Sequence, residues 1–146
     1  MKKAIVTGLN QYLADLNVMY VKLHNLHWNV VGVQFKQVHE YLEELYDGIS
    51  DALDEVAELI KINNKTPLAS MKDYLAISAI EERSSEELSA LTVIDITQKD
   101  MLYFKKSLEA LRKLADEEDP YDVVGMLEDH LSNYNKSLWF LSAMTK

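Results

Sequence analysis

The sequence predicts an all-α protein: a four-helix bundle with a long crossover, carrying a short helix, between its second and third helices. Three observations lead there. Four glycines and two prolines are all that punctuate 146 residues, and so little breakage favours long helices. Apolar residues, 48% of the chain, recur at alternating steps of three and four, the rhythm of a bundle-facing stripe. The patterned segments form four blocks, with one unusually long connection over residues 66–92. A chain of this length is expected to form a single domain, residues 1–146, with a substantial core.

The first stripe is Leu9, Leu13, Leu16, Tyr20, Leu23, His27 and Val30, ended by Gly32. The second helix is read from Phe35 to Asn63, with Val38, Leu42, Leu45, Ile49, Ala52, Val56 and Leu59 inward; Asn63-Asn64-Lys65-Thr66-Pro67 then breaks it. The connection holds a short helix from Ser70 to Ile77 and a polar run, EERSSEE. It is too long for antiparallel neighbours and suits a crossover that sets the third helix parallel to the second. The third helix is read over Val93–Glu117, with Met101, Phe104, Leu108, Leu111 and Ala115 in step, and DEEDP stops it. Asp122 is expected to cap the fourth, which carries Val124, Leu127, Leu131, Tyr134, Leu138 and Leu141. Four helices with one crossover follow the ferritin-like plan.

Composition narrows the chemistry. There is no cysteine, so disulfides, thiolate metal sites and thiol nucleophiles are excluded, which fits a reducing cytoplasm. The opening MKKAIVTGLNQYL lacks a sustained apolar region and a cleavage signal. No stretch is long and apolar enough to span a bilayer. A net charge of −9 repels phosphate backbones and attracts cations.

The residues that carry chemistry lie in HNLHWNVVGVQFKQVHEYLEELYDGISDALDEVAE, from His24 to Glu58. His39 and Glu58 share a midpoint of 48.5 with Glu43 and Asp54, since 39 + 58 = 43 + 54. With about 100° per residue and His39 at zero, Glu43 lies near 40°, Asp54 near 60° and Glu58 near 100°. The apolar stripe of the same helix centres near −80°, roughly 130° away. The four side chains therefore make one stripe facing away from the chain's own core. They also spread over about 30 Å of helix, too far for one ion. An antiparallel copy of the helix across a two-fold axis would bring His39 and Glu43 of one chain to Asp54 and Glu58 of the other. His27 and His39 are equidistant from Val33, beside the break at Gly32, so a hairpin brings them level. The expected site takes His27 and His39 from one chain and Asp54 and Glu58 from its partner, with Glu43 as an occasional or supporting ligand, two sites per dimer.

Imidazole and carboxylate without thiolate suits Fe(II), Mn(II) or Zn(II). So few protein ligands leave positions open for reaction. Carboxylates stabilise Fe(III) over Fe(II), so oxidation is favoured. Di-iron sites inside a bundle use Glu-x-x-His. The residues three before the four histidines are Val21, His24, Lys36 and Leu127, so no such motif is present.

HNLHWNVVG, FKQVHEYLEELYD and DALDEVAELI, with SLWFLSAM near the C-terminus, resemble the Dps family, the DNA-binding proteins from starved cells or miniferritins. The resemblance covers nearly the whole chain. It implies a hollow dodecameric cage, iron as the bound metal, and ferroxidase activity. It also implies hydrogen peroxide in preference to O2 as oxidant, two irons oxidised per peroxide, and ferric mineral stored inside as a defence against oxidative stress. It makes His27, His39, Asp54 and Glu58 the iron ligands and places Trp28 beside them, able to quench stray radicals. Three positions depart from the family pattern. Glu43 stands where Asp is frequent. Gly125 stands where many relatives place a carboxylate lining the pore that admits iron, although Asp119, Asp122, Glu128 and Asp129 lie nearby and Asp119 and Asp122 are pore candidates. The lysine-rich tail of relatives that coat DNA is reduced to Lys2, Lys3 and Lys146.

Other prominent residues have plainer readings. His24 and His130 have no matching partners and read as surface or packing residues, and Trp139 as core or interface. The leading functional reading is an oligomeric ferroxidase and iron store, with zinc or manganese able to take the same ligands. The alternative is a nucleoid protein that shields DNA physically, for which the sequence offers little basic surface.

Overall fold

A computed structural model describes residues 1–118 and 120–146; Asp119, one of the two pore candidates, lies outside the described residues. The helices are α1 (Lys3–Asn29), α2 (Phe35–Ile62), α3 (Met71–Ile77), α4 (Ala90–Glu118) and α5 (Tyr121–Ala143). A two-residue parallel pair joins β1 (Val30–Val31) to β2 (Leu88–Ser89). The bundle is all-α but for this clasp, and it has the ferritin-like layout the stripes predict. α1 packs along α2 and α4 along α5, while α3 lies on α1 within the crossover.

The inward stripes follow the reading closely on the first three long helices. Val38, Leu42, Ile49, Val56 and Leu59 are buried on α2, and Met101, Phe104, Leu108, Leu111 and Ala115 on α4. On α5 the buried line is Val123, Leu127, His130, Tyr134 and Leu141. Val124 and Leu131 are only partly buried, so the core face begins one residue earlier than read and takes in His130. Each fully buried Leu or Ile contributes about 1.5–3 kcal/mol. Gly8 lets α1 approach α4, since a Cβ there would meet Cδ1 of Leu111 at 2.5 Å.

Helix ends explain the boundaries. α1 stops at Asn29 rather than running through Val30, because Val30 and Val31 pair with Leu88 and Ser89 across the crossover. α2 ends with Asn64 at φ 61°, its N–H donating to the Lys61 carbonyl and that of Lys65 to the Ile60 carbonyl; this is the left-handed exit that Asn tolerates. Ser70 caps α3 through the Asp73 N–H. Asp122 is not the cap of α5. Pro120 holds that position, and Asp122 sits in the first turn, accepting from Asn63 Nδ2 at 3.2 Å and from the Val123 N–H at 2.9 Å.

Two buried polar groups hold the crossover and the pairing of α1 with α4. Asp15, fully buried, accepts from Ser78 Oγ (2.9 Å), the Ala79 N–H (2.8 Å), the Tyr103 hydroxyl (2.7 Å) and Gln11 Nε2. Burial, and then the hydrogen bond to Asp15, push the Tyr103 phenol well above its ordinary range. Lys22 meets Asp100 at 2.7 Å, both largely buried. Burial raises the Asp100 carboxyl above the usual carboxylate range, with Lys22 pulling the other way.

Candidate metal centre

The turn between α1 and α2 sets the geometry. Gly32 has φ +116°, a backbone region that residues with a Cβ rarely adopt, and its carbonyl accepts from the Phe35 N–H at 3.0 Å. The chain thus reverses in a few residues and brings the last turns of α1 level with the first turns of α2. His27 is buried and His39 partly exposed. Each ring donates Nδ1–H to the other residue's backbone carbonyl, His27 to His39 O at 2.6 Å and His39 to His27 O at 2.7 Å. The two imidazoles stack 3.7 Å apart at 11°. The His27 carbonyl lies in the last turn of α1, where helix carbonyls begin to lack partners of their own.

This exchange fixes chemistry as well as shape. A carbonyl only accepts, so Nδ1 carries the hydrogen in both rings and each Nε2 keeps its lone pair. Orienting a ring through one nitrogen so that the other can bind a metal is the usual arrangement of ligating histidines. Phe35 stacks on the outer face of His39 (4.7 Å, 23°), and Tyr46 meets His27 edge-on at 5.2 Å. Glu43 is exposed, its Oε1 3.9 Å from Nε2 of His27 and 3.4 Å from the Tyr46 hydroxyl, which donates to it.

Asp54 and Glu58 sit together one turn apart on the exposed face of α2. The neighbouring Asp54 carboxylate raises the Glu58 carboxyl above its usual range. Asp54 lies about 22 Å along α2 from His39. Among the described residues, no three or more His, Asp or Glu side chains of a single protomer converge to hold a metal. Within the chain the histidine pair and the acid pair lie apart.

Trp28 is 66% exposed, and its ring lies 5.4 Å from that of His24, which stacks on Tyr46 at 3.8 Å. Sequence reading missed Phe35, His24 and Tyr46 as neighbours of the site. The signal was there in their spacing, since His24 lies one turn before His27 and Tyr46 two turns after His39. Asp122 is tied to Asn63, and Gly125 is exposed with open space around it. Trp139 is 67% exposed, which removes it from the core.

The ferritin-like domain matches residues 6–146 of the chain. Antigen TpF1 of Treponema pallidum is 38% identical over 144 residues, 98% of this chain and 81% of that protein. Its crystal structure superposes with a TM-score of 0.96 at 37% identity, covering 98% and 92% of the two chains. DNA protection during starvation protein 2 of Bacillus anthracis is 35% identical, covering 98% and 97%. A Dps protein from Bacillus brevis has a TM-score of 0.94 at 33% identity over the full length of both chains. The chain belongs to the Dps family of ferritin-like proteins. Two features of this Dps chain stand out beside that membership: the histidine pair is organised within one protomer, and no described helix is long and apolar enough to cross a membrane.

Proposed function

We propose that this Dps protein is a ferroxidase and iron store, working in the cytoplasm as a homo-oligomeric, dodecameric shell. Fe(II) is its substrate. It binds where two α2 helices meet antiparallel, between His27 and His39 of one protomer and Asp54 and Glu58 of the next, with Glu43 within reach of the same ion. Hydrogen peroxide, in preference to O2, accepts one electron from each of two irons, so that no hydroxyl radical is released. The ferric product is kept as mineral, and Trp28 intercepts stray oxidants. Asp122 lies on the route by which iron enters.

The observation that carries this reading is the reciprocal Nδ1–H exchange between His27 and His39, which leaves two Nε2 lone pairs on one stacked pair. The paired acids of Asp54 and Glu58 supply the hard oxygen ligands that favour the ferric product. Zinc and manganese suit the same ligands and would compete. A DNA-coating role has less support: the net charge is −9, and Lys2 is paired with Glu118 at 2.7 Å.

The test is anaerobic loading with Fe(II) followed by stoichiometric peroxide, read as ferric absorbance in intact protein. The parent should show a fast phase that His27→Ala/His39→Ala loses. A double variant that oxidises iron as fast as the parent would remove the assignment.

A further inference from the structure

A further histidine, His130, is wired into the bundle through Glu55, the sequence neighbour of Asp54 on α2. Between α2 and α5 lies a cavity of about 420 Å³, with Tyr12, His130 and Tyr134 at its buried end and Glu55 and Lys136 toward solvent. The Tyr12 hydroxyl lies 2.9 Å from Nδ1 of His130 and 2.8 Å from the Tyr134 hydroxyl. Nε2 of His130 lies 3.0 Å from Oε2 of Glu55. Glu55 is an acceptor-only carboxylate, so Nε2 carries the hydrogen and Nδ1 is left as acceptor. The Tyr12 hydroxyl therefore donates to Nδ1, and Tyr134 donates to the Tyr12 oxygen. The result is a phenol held against a base that is itself oriented by a carboxylate.

We infer that Tyr12 is a redox-active tyrosine, giving an electron to a strong one-electron oxidant of the hydroxyl-radical class while its proton crosses to His130. The oxidant leaves as hydroxide. The phenol O–H breaks, an Nδ1–H forms, and Tyr12 becomes a neutral phenoxyl beside an imidazolium whose Nε2–H stays on Glu55. The charges of imidazolium and hydroxide sum to zero, as they did before the step. A one-electron donor such as ascorbate returns the electron, and Nδ1 returns the proton.

Three further observations fit. Burial pushes the Tyr12 and Tyr134 phenols upward, so direct loss of a proton to water is disfavoured and a local base is needed. Tyr12 is 1% exposed, which keeps its phenoxyl from coupling with a second one. Tyr103 is the nearest rival, hydrogen-bonded to Asp15 at 2.7 Å, but Asp15 already accepts from Ser78, Ala79 and Gln11 and has less capacity to take a proton.

The test uses the metal-free full-length protein, so it does not depend on the ferroxidase reading. Azide radicals generated by a radiolysis pulse oxidise the protein, and samples are frozen for electron paramagnetic resonance once short-lived radicals have decayed. A persistent tyrosyl signal with the g-tensor of a hydrogen-bonded phenoxyl is expected in the parent. It should remain in Tyr121→Phe, whose ring is exposed, and be lost in Tyr12→Phe, whose helicity and melting temperature are checked alongside. His130→Gln leaves every tyrosine in place and should shift the g-tensor or remove the signal. The inference is overturned if the parent shows no persistent tyrosyl, if Tyr12→Phe retains it, if Tyr103→Phe removes it instead, or if His130→Gln leaves it unchanged.

Discussion

His27 and His39 each close a hydrogen bond on the other's backbone, at 2.6 and 2.7 Å, so neither ring can turn without releasing its partner's carbonyl. The pair is one unit, and its loss should be felt twice. His39→Ala strips the hydrogen from the His27 carbonyl and leaves the buried His27 Nδ1–H facing His39 O without its stacked neighbour. An unsatisfied buried group costs about 1–3 kcal/mol. We expect that loss in urea unfolding, together with loss of Zn(II) binding by calorimetry. Unchanged zinc affinity would separate the pair from the metal.

Gly32 should be as sensitive as a ligand. At φ +116° any side chain is strained, by about 1–3 kcal/mol. Gly32→Val should destabilise by that amount and slow iron oxidation, because the turn sets the register of His27 against His39. Full activity in the variant would show that the register does not depend on the turn.

Asp15 anchors the crossover to α1 and α4. Asp15→Ala leaves Ser78, Ala79 and Tyr103 without their acceptor, and hydrogen bonds to a charged group contribute about 1.5–3 kcal/mol each. Limited proteolysis should then cut within residues 63–89 faster than in the parent. Equal protection would mean that other contacts, such as Asn25 Nδ2 on the Arg83 and Ser84 carbonyls, suffice.

Lys22 and Asp100 give a test with a pH sign. Lys22→Met leaves Asp100 buried without its partner, a loss of about 3–5 kcal/mol, and Lys22→Met/Asp100→Leu should recover most of it. In Lys22→Met the pull that lowers the Asp100 carboxyl is gone and burial alone raises it. The folded state then binds a proton more readily than the unfolded state. Stability should rise as pH falls through the raised value and be lost as pH rises through it. A flat difference from the parent between neutral and mildly acidic pH would contradict this.

Much of the molecule was legible in the sequence because its stripes are long. The α2 stripe from Val38 to Leu59 spans many turns, so a one-residue error would have shown. On α5, Val123 and Val124 are both apolar, and a local pattern could not choose between them. His130 was read as packing or surface, and its true place on the core face depends on Tyr12 and Glu55, which lie 118 and 75 residues away in sequence. The β1–β2 clasp likewise joins Val30 to Leu88, a pairing that neither segment announces. The halves of the candidate site were visible through spacing alone. The rings that pack around them, Phe35 and Tyr46, are ordinary helix residues until the hairpin folds.

The claim that a shared site is built from two protomers is tested most directly by mixing two inactive variants. His27→Ala/His39→Ala keeps its acids, and Asp54→Ala/Glu58→Ala keeps its histidines. Unfolded together in equal amounts and reassembled, half of the two-fold interfaces should pair unlike protomers, and one of the two sites in each should be intact, restoring about a quarter of the parental fast phase. If the mixed shells oxidise Fe(II) no faster than either variant alone, the site is not shared between protomers.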